Sequence, residues 1–226
     1  MFDYNVGYRT AEAVNSAMIR VYNHMLLAVI TSGVVAALVA SSPAALALLF
    51  GTALKWVVML APLAAILVFT FAVESFNKTG LILFLQGFAA LMGLSMSTIF
   101  VVFTGASVAS AFVGAAMLFA TMSFYGYFTK SSLESLGQFM FVGLIAIVIA
   151  SIINIFIGST VMQMVISALA IIIFMGLTAY DTQQIREIVS VDSDSGREEV
   201  IGALTLYLDF INLFLNLLQI IGVKRD

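Results

Sequence analysis

The chain has 226 residues, 62% of them hydrophobic and 9% charged, with a net charge of −3, one histidine and no cysteine. A soluble domain with so few charges would aggregate, which leaves an all-α polytopic membrane protein as the class. The small net charge and the lack of a basic patch exclude a nucleic-acid partner, and the missing cysteines exclude disulfides, zinc–thiolate sites, iron–sulfur clusters and a cysteine nucleophile.

Residues 1–21 are polar and mixed in charge, with Asp3, Arg9, Glu12 and Arg20. They read as a cytoplasmic N-terminal segment ahead of one seven-helix transmembrane domain, residues 22–226. Residues 11–20 have the pattern of a short amphipathic helix on the membrane surface, with a loosely ordered tail as the alternative. The acidic residues and long polar lead argue against a cleaved signal peptide. A first span is expected over residues 22–40, ended by Ser41-Ser42-Pro43. A second covers 54–73, with Pro62 inside it as a source of kinking. Glu74 and Lys78, four residues apart, read as an ion pair at the membrane edge. The third and fourth spans, 80–103 and 106–128, are dotted with Gly87, Ala90, Gly93, Ser97, Ser107, Ser110 and Gly114, small residues that let helix backbones approach closely. The fifth runs over 136–157 and the sixth over 161–180. A hydrophilic stretch follows at 181–199, then the seventh span at 200–222.

Bases fall in alternate connections: Arg9 and Arg20, then Lys78, then Lys130, then Arg186 and Arg197. The other loops carry none, apart from Lys55 at the start of the second span. This alternation puts the N-terminus in the cytoplasm. The tail bases Lys224 and Arg225 then conflict with a seventh crossing. Either the last helix spans regardless, as its length favours, or it re-enters.

That last stretch, VIGALTLYLDFINLFLNLLQIIG, carries Thr205, Asp209, Asn212, Asn216 and Gln219. Steps of four, three, four and three put all five on one helical face. Such a stripe cannot face lipid, so the C-terminal helix is expected inside the bundle with the others around it. Asp209 lies about 13 Å into its helix and must be neutral, paired or wet. The second membrane-borne acid is Asp181, at the cytoplasmic end of the sixth span. If it dips inward the two carboxyls can meet. They would then share a proton near neutral pH and, when ionised, offer hard oxygens suited to calcium rather than to zinc or copper. Asn212 and the Tyr180 and Tyr207 hydroxyls are candidate neutral oxygens. The plainer alternatives are that Asp181 caps a helix or is solvated, and that Asp209 serves helix packing alone.

No enzyme reading fits. His24 alone makes neither a metal site nor a triad, and no glycine-rich phosphate loop is present. An intramembrane aspartyl protease would also use two membrane aspartates. Tyr180-Asp181 matches half of its signature, but Asp209 follows Leu206-Tyr207-Leu208 where Gly-x-Gly is required. No cofactor is expected.

At these same residues the chain resembles the Bax inhibitor-1 family, also called the transmembrane BAX inhibitor motif family. The carrying segments are LTAYDTQQI at 177–185 and LTLYLDFINLFLNLL at 204–218, supported by SFYGYFTKSSLESLGQF at 123–139 and ASIINIFIGS at 150–159. The loop TKSSLESLGQF is similar to those of proteobacterial relatives, so the chain looks like a bacterial, inner-membrane member. The resemblance implies seven helices with the seventh central, and a pH-sensitive calcium leak gated by an aspartate pair that falls on Asp181 and Asp209. It also implies, for part of the family, an arginine near the end of the second span that engages the pair. Here that place holds Glu74-Ser75-Phe76-Asn77, with Lys78 the nearest base. The partners expected are the lipid bilayer, calcium ions and protons. A non-transporting modulator of a membrane-anchored protease or stress pathway is the alternative, with the N-terminus and residues 181–199 as its docking surfaces.

Overall fold

A computed structural model describes residues 9–191 and 195–225, so Asp3 of the polar lead and the terminal Asp226 lie outside the described residues. The helices are α1 (Ala11–Ala40), α2 (Pro43–Phe50), α3 (Leu54–Ala72), α4 (Lys78–Met96), α5 (Ile99–Val102), α6 (Gly105–Phe128), α7 (Glu134–Ile157), α8 (Thr160–Ser190) and α9 (Arg197–Ile221). Among the described residues, seven helical stretches are long and apolar enough to cross a membrane, α4 and α5 counting as one. Contacts group the chain into two compact units: Met1–Thr104 with Val189–Leu204 and Lys224–Asp226, and Gly105–Ile188 with Thr205–Val223.

In the first unit, α1 runs unbroken from Ala11, capped by the Thr10 hydroxyl, which accepts from the Ala13 N–H. Val14, Ala17, Met18 and Val21 are buried. Residues 11–20 are therefore the first turns of the first span, and neither a separate surface helix nor a loose tail. Their apolar positions simply continue the helical repeat of the span. The break at Ser41–Pro43 is also a start. The Ser42 side chain accepts from Ala45 N–H and Pro43 opens α2, as serine caps and first-turn prolines do. Lys55, the base on the otherwise uncharged side, lies 5.4 Å from the Trp56 ring centroid, and both are exposed. That is the arrangement of an interfacial anchor.

Pro62 leaves α3 continuous. Its ring nitrogen cannot donate to the carbonyl four residues back, Val58, and an orphaned carbonyl is costly where water is absent. Ser95 of α4 fills that vacancy by donating its hydroxyl to Val58 O. Ser95→Ala should therefore cost about 0.6–2 kcal/mol, read as a lowered melting temperature in detergent. Combining it with Pro62→Ala should recover most of the loss. Close approach of α1 and α4 comes from Gly93, where an added Cβ would lie 2.5 Å from Ser32 O. Gly87, by contrast, has open space beside it. Phe69 and Phe84 stack at 4.5 Å between α3 and α4.

The first unit also holds the first turn of α9, and Lys224 and Arg225 beyond its end. Its first turn meets Arg20 of α1 and Lys78 at the start of α4. Beyond its end, Arg225 N–H donates to Val102 O, and Lys224 bridges Phe103, at the far end of α4–α5. The seventh helix is one unbroken run of 25 residues and does not turn back on itself. Lys224 and Arg225 stand at the otherwise base-poor end.

In the second unit, α6 packs on α9 through Phe112 and Phe119, which meet the Phe210 ring edge-on at 5.4 and 5.9 Å. Gly158, with φ +68°, ends α7 in the left-handed conformation glycine favours. Asn154 closes that turn by accepting from Ser159 N–H.

Candidate functional site

The site expected on α8 and α9 lies within the second unit. Helix α8 does not stop near residue 180 but continues to Ser190. Asp181 consequently sits inside a helix and not at its end. The hydropathy drop at Asp181 hides a repeat that persists, with Leu177, Ile185 and Val189 all buried at four- or eight-residue spacing.

Asp209 is 4% exposed, and its carboxyl lies within hydrogen-bonding reach of Asp181 and Thr178. Asp181 is half-buried. Two carboxyls can hydrogen-bond each other only with a proton between them. The Thr178 hydroxyl also donates to Phe174 O at 2.7 Å. The other Asp209 oxygen, Oδ2, is buried with no hydrogen-bond partner, an unspent acceptor in a water-poor place.

The Asp181 side of the pair is firmly held. The Ser123 and Thr182 hydroxyls are 2.9 Å apart between α6 and α8. Gln183, next along, accepts from Leu133 N–H at 2.8 Å and donates to Ser131 O at 3.0 Å. Two glycines with nothing in the local sequence to mark them allow this fit. An added Cβ at Gly126 of α6 would overlap the Ala179 backbone, and one at Gly137 of α7 would lie 2.5 Å from the Tyr180 ring. Gly126→Ala should destabilise the protein by about 1–3 kcal/mol, read by melting in detergent, because the obstacle is backbone and cannot swing away.

The supporting residues are less gathered than the two acids. The Tyr180 ring lies against Gly137. Tyr207 is fully buried, and Thr205 is half-buried. Asn212 and Asn216 donate to Leu208 O and Asn212 O, each four residues back on their own helix, at 2.8 and 2.9 Å. Both are half-buried and Gln219 is exposed. The stripe expected to bury as a unit therefore does not. Asp209 goes inside, while the amides satisfy their donors locally and tolerate the margin. Even so, 61% of the most apolar window of α9 is buried, against 11–33% for the other six spans.

The expected Glu74–Lys78 ion pair does not form. Glu74 is exposed, and Lys78 reaches Glu199 at 3.6 Å. Glu199 is 2% exposed. Arg20 forks onto it, Nε to Oε2 at 2.9 Å and Nη2 to Oε1 at 2.6 Å, and Arg9 stands at 3.9 Å. In the sequence Glu199 stands at the edge of the hydrophilic stretch 181–199. Its partners lie more than a hundred residues away, and only its place in the first turn of a helix could have marked it.

Among the described residues there is no group of three or more His, Cys, Asp or Glu that could hold a metal. Two carboxylates supply fewer oxygens than the six to eight a resident calcium ion takes.

A family model described as "Inhibitor of apoptosis-promoting Bax1" matches residues 14–226. Inner membrane protein YbhL of Escherichia coli strain K12 is 39% identical over 92% of this chain and 92% of its own. A protein of Rickettsia prowazekii is 38% identical over 95% of this chain and 92% of its own. A membrane protein of Streptococcus pyogenes serotype M3 is 43% identical over 60% of each chain.

Proposed function

Because the chain belongs to the Bax inhibitor-1 family, we propose that it is a calcium-permeable leak of the bacterial inner membrane, or a proton-coupled calcium pathway, with Asp181 and Asp209 as gate and proton sensor. The observation that carries this reading is the buried Asp209 carboxyl facing Asp181 on the neighbouring helix. An acid is expensive at such a place and is kept there for ion or proton handling more often than for packing. Protons and calcium compete for the same oxygens, so each lowers the apparent affinity of the other. The buried fraction of α9 supports its role as the bundle's inner helix. The bases at Arg9, Arg20, Lys78, Lys130, Arg186 and Arg197 support a cytoplasmic N-terminus.

The test is calcium flux through the purified protein in liposomes. Flux that responds to pH without any added partner is expected. Its absence would overturn the reading and leave the non-transporting, protease-modulating alternative.

A further inference from the structure

We infer that Glu199 is a positioning residue for the ion path, the anchor of an ionic latch that fixes the first turn of α9 against α1 and α4. The inference rests on the reading of Asp209 as part of the gate. Three features of the first unit carry it.

The first is the cost of the arrangement. A carboxylate 2% exposed, holding Arg20 on both oxygens with Lys78 and Arg9 beside it, is more than a helix start needs. Glu198 already supplies a first-turn acid, accepting from the Ser195 hydroxyl at 2.9 Å. The second is the turn before α9. Gly196 has φ +58°, and an added Cβ would lie 2.6 Å from Lys78 Nζ. The backbone there is shaped so that the ammonium can reach past it. The third is Arg197, which donates to Val73 O at 2.9 Å and ties the same turn to the segment after α3.

Asp209 follows ten residues later on the same unbroken helix, about 15 Å along its axis. A continuous helix carries a rotation of its first turn along its length, so holding that turn restrains the direction in which Asp209 points. Bases at this end of the first unit thus act on the gate through the helix backbone and not by touching its acids.

The experiment exploits the absence of cysteine. Spin labels at Ser16→Cys on α1 and Ile201→Cys on α9 report the spacing of the two helices in liposomes, alongside calcium flux. Glu199→Gln is expected to broaden a narrow distance distribution and to raise flux about tenfold at the pH where the parent leaks least, within the usual range for coupled sites. Glu199→Asp should restore both in part. Arg20→Met tests the same contact should Glu199→Gln not fold. An unbroadened distribution in the variants overturns the latch. Broadening with unaltered flux overturns the positioning role. Broadening in a protein that conducts in no form leaves the latch standing and removes the proposed function instead.

Discussion

Asp209→Asn should flatten the pH response of calcium flux. Asparagine has nearly the shape of a protonated aspartate and can still hydrogen-bond Asp181 and Thr178, so the helices should keep their packing. What it loses is the capacity to release a proton and to present charge to a cation. A gate worked by one shared proton changes by up to about tenfold per pH unit. The variant should change little across the same range, and its calcium flux should be lower wherever the parent's pair is ionised. Asp181→Asn should act in the same direction, since the titration belongs to the pair. A dye-based flux assay over a series of internal and external pH values checks this, with circular dichroism as the folding control. An Asp209→Asn profile that overlays the parent's would remove the acid from the gate.

The second large effect is expected at Arg20. Its guanidinium holds both oxygens of a carboxylate with almost no access to water. Arg20→Ala leaves that charge with Lys78 at 3.6 Å and Arg9 at 3.9 Å, neither within good hydrogen-bond distance. Breaking such a pair costs about 3 kcal/mol, at the lower end of the usual range because the Arg20 side is half-exposed and screened. Arg20→Lys should lose roughly half as much, since it keeps the charge but not the two-pronged geometry. The measurement is thermal unfolding in detergent. Arg20→Met combined with Glu199→Gln should lose less than the two singles added together, because no unpaired charge remains buried. Additive losses would mean that the two groups stabilise the protein independently.

The aspartate pair was legible and the ionic latch was not, and the difference is physical. Asp209 announces itself because a carboxylate amid twenty apolar residues has few tolerable environments. Asp181 follows as the other acid near the membrane with a short connection to it. Glu199, Lys78 and Arg20 each sit beside a polar stretch, where a charge needs no special explanation. Their convergence depends on where α1, α4 and α9 begin, which local hydropathy does not encode. The same gap explains Glu74, whose helical spacing from Lys78 is right but whose partner is taken by a better-buried acid.

Composition, hydropathy and loop charges by themselves determined the class, the seven spans, the order of the elements and the two acids worth watching. These rest on the cost of water-poor surroundings to polar groups, a property each residue carries with it. Tertiary structure alone decided that α8 continues past Asp181, that Asn212 and Asn216 turn their donors back on their own helix, that Ser95 answers the carbonyl freed by Pro62, and that Glu199 gathers the bases. Each of those depends on a neighbour distant in sequence or on a choice between two satisfied states. Pairing energies between such neighbours are set by angles and distances that no single segment contains.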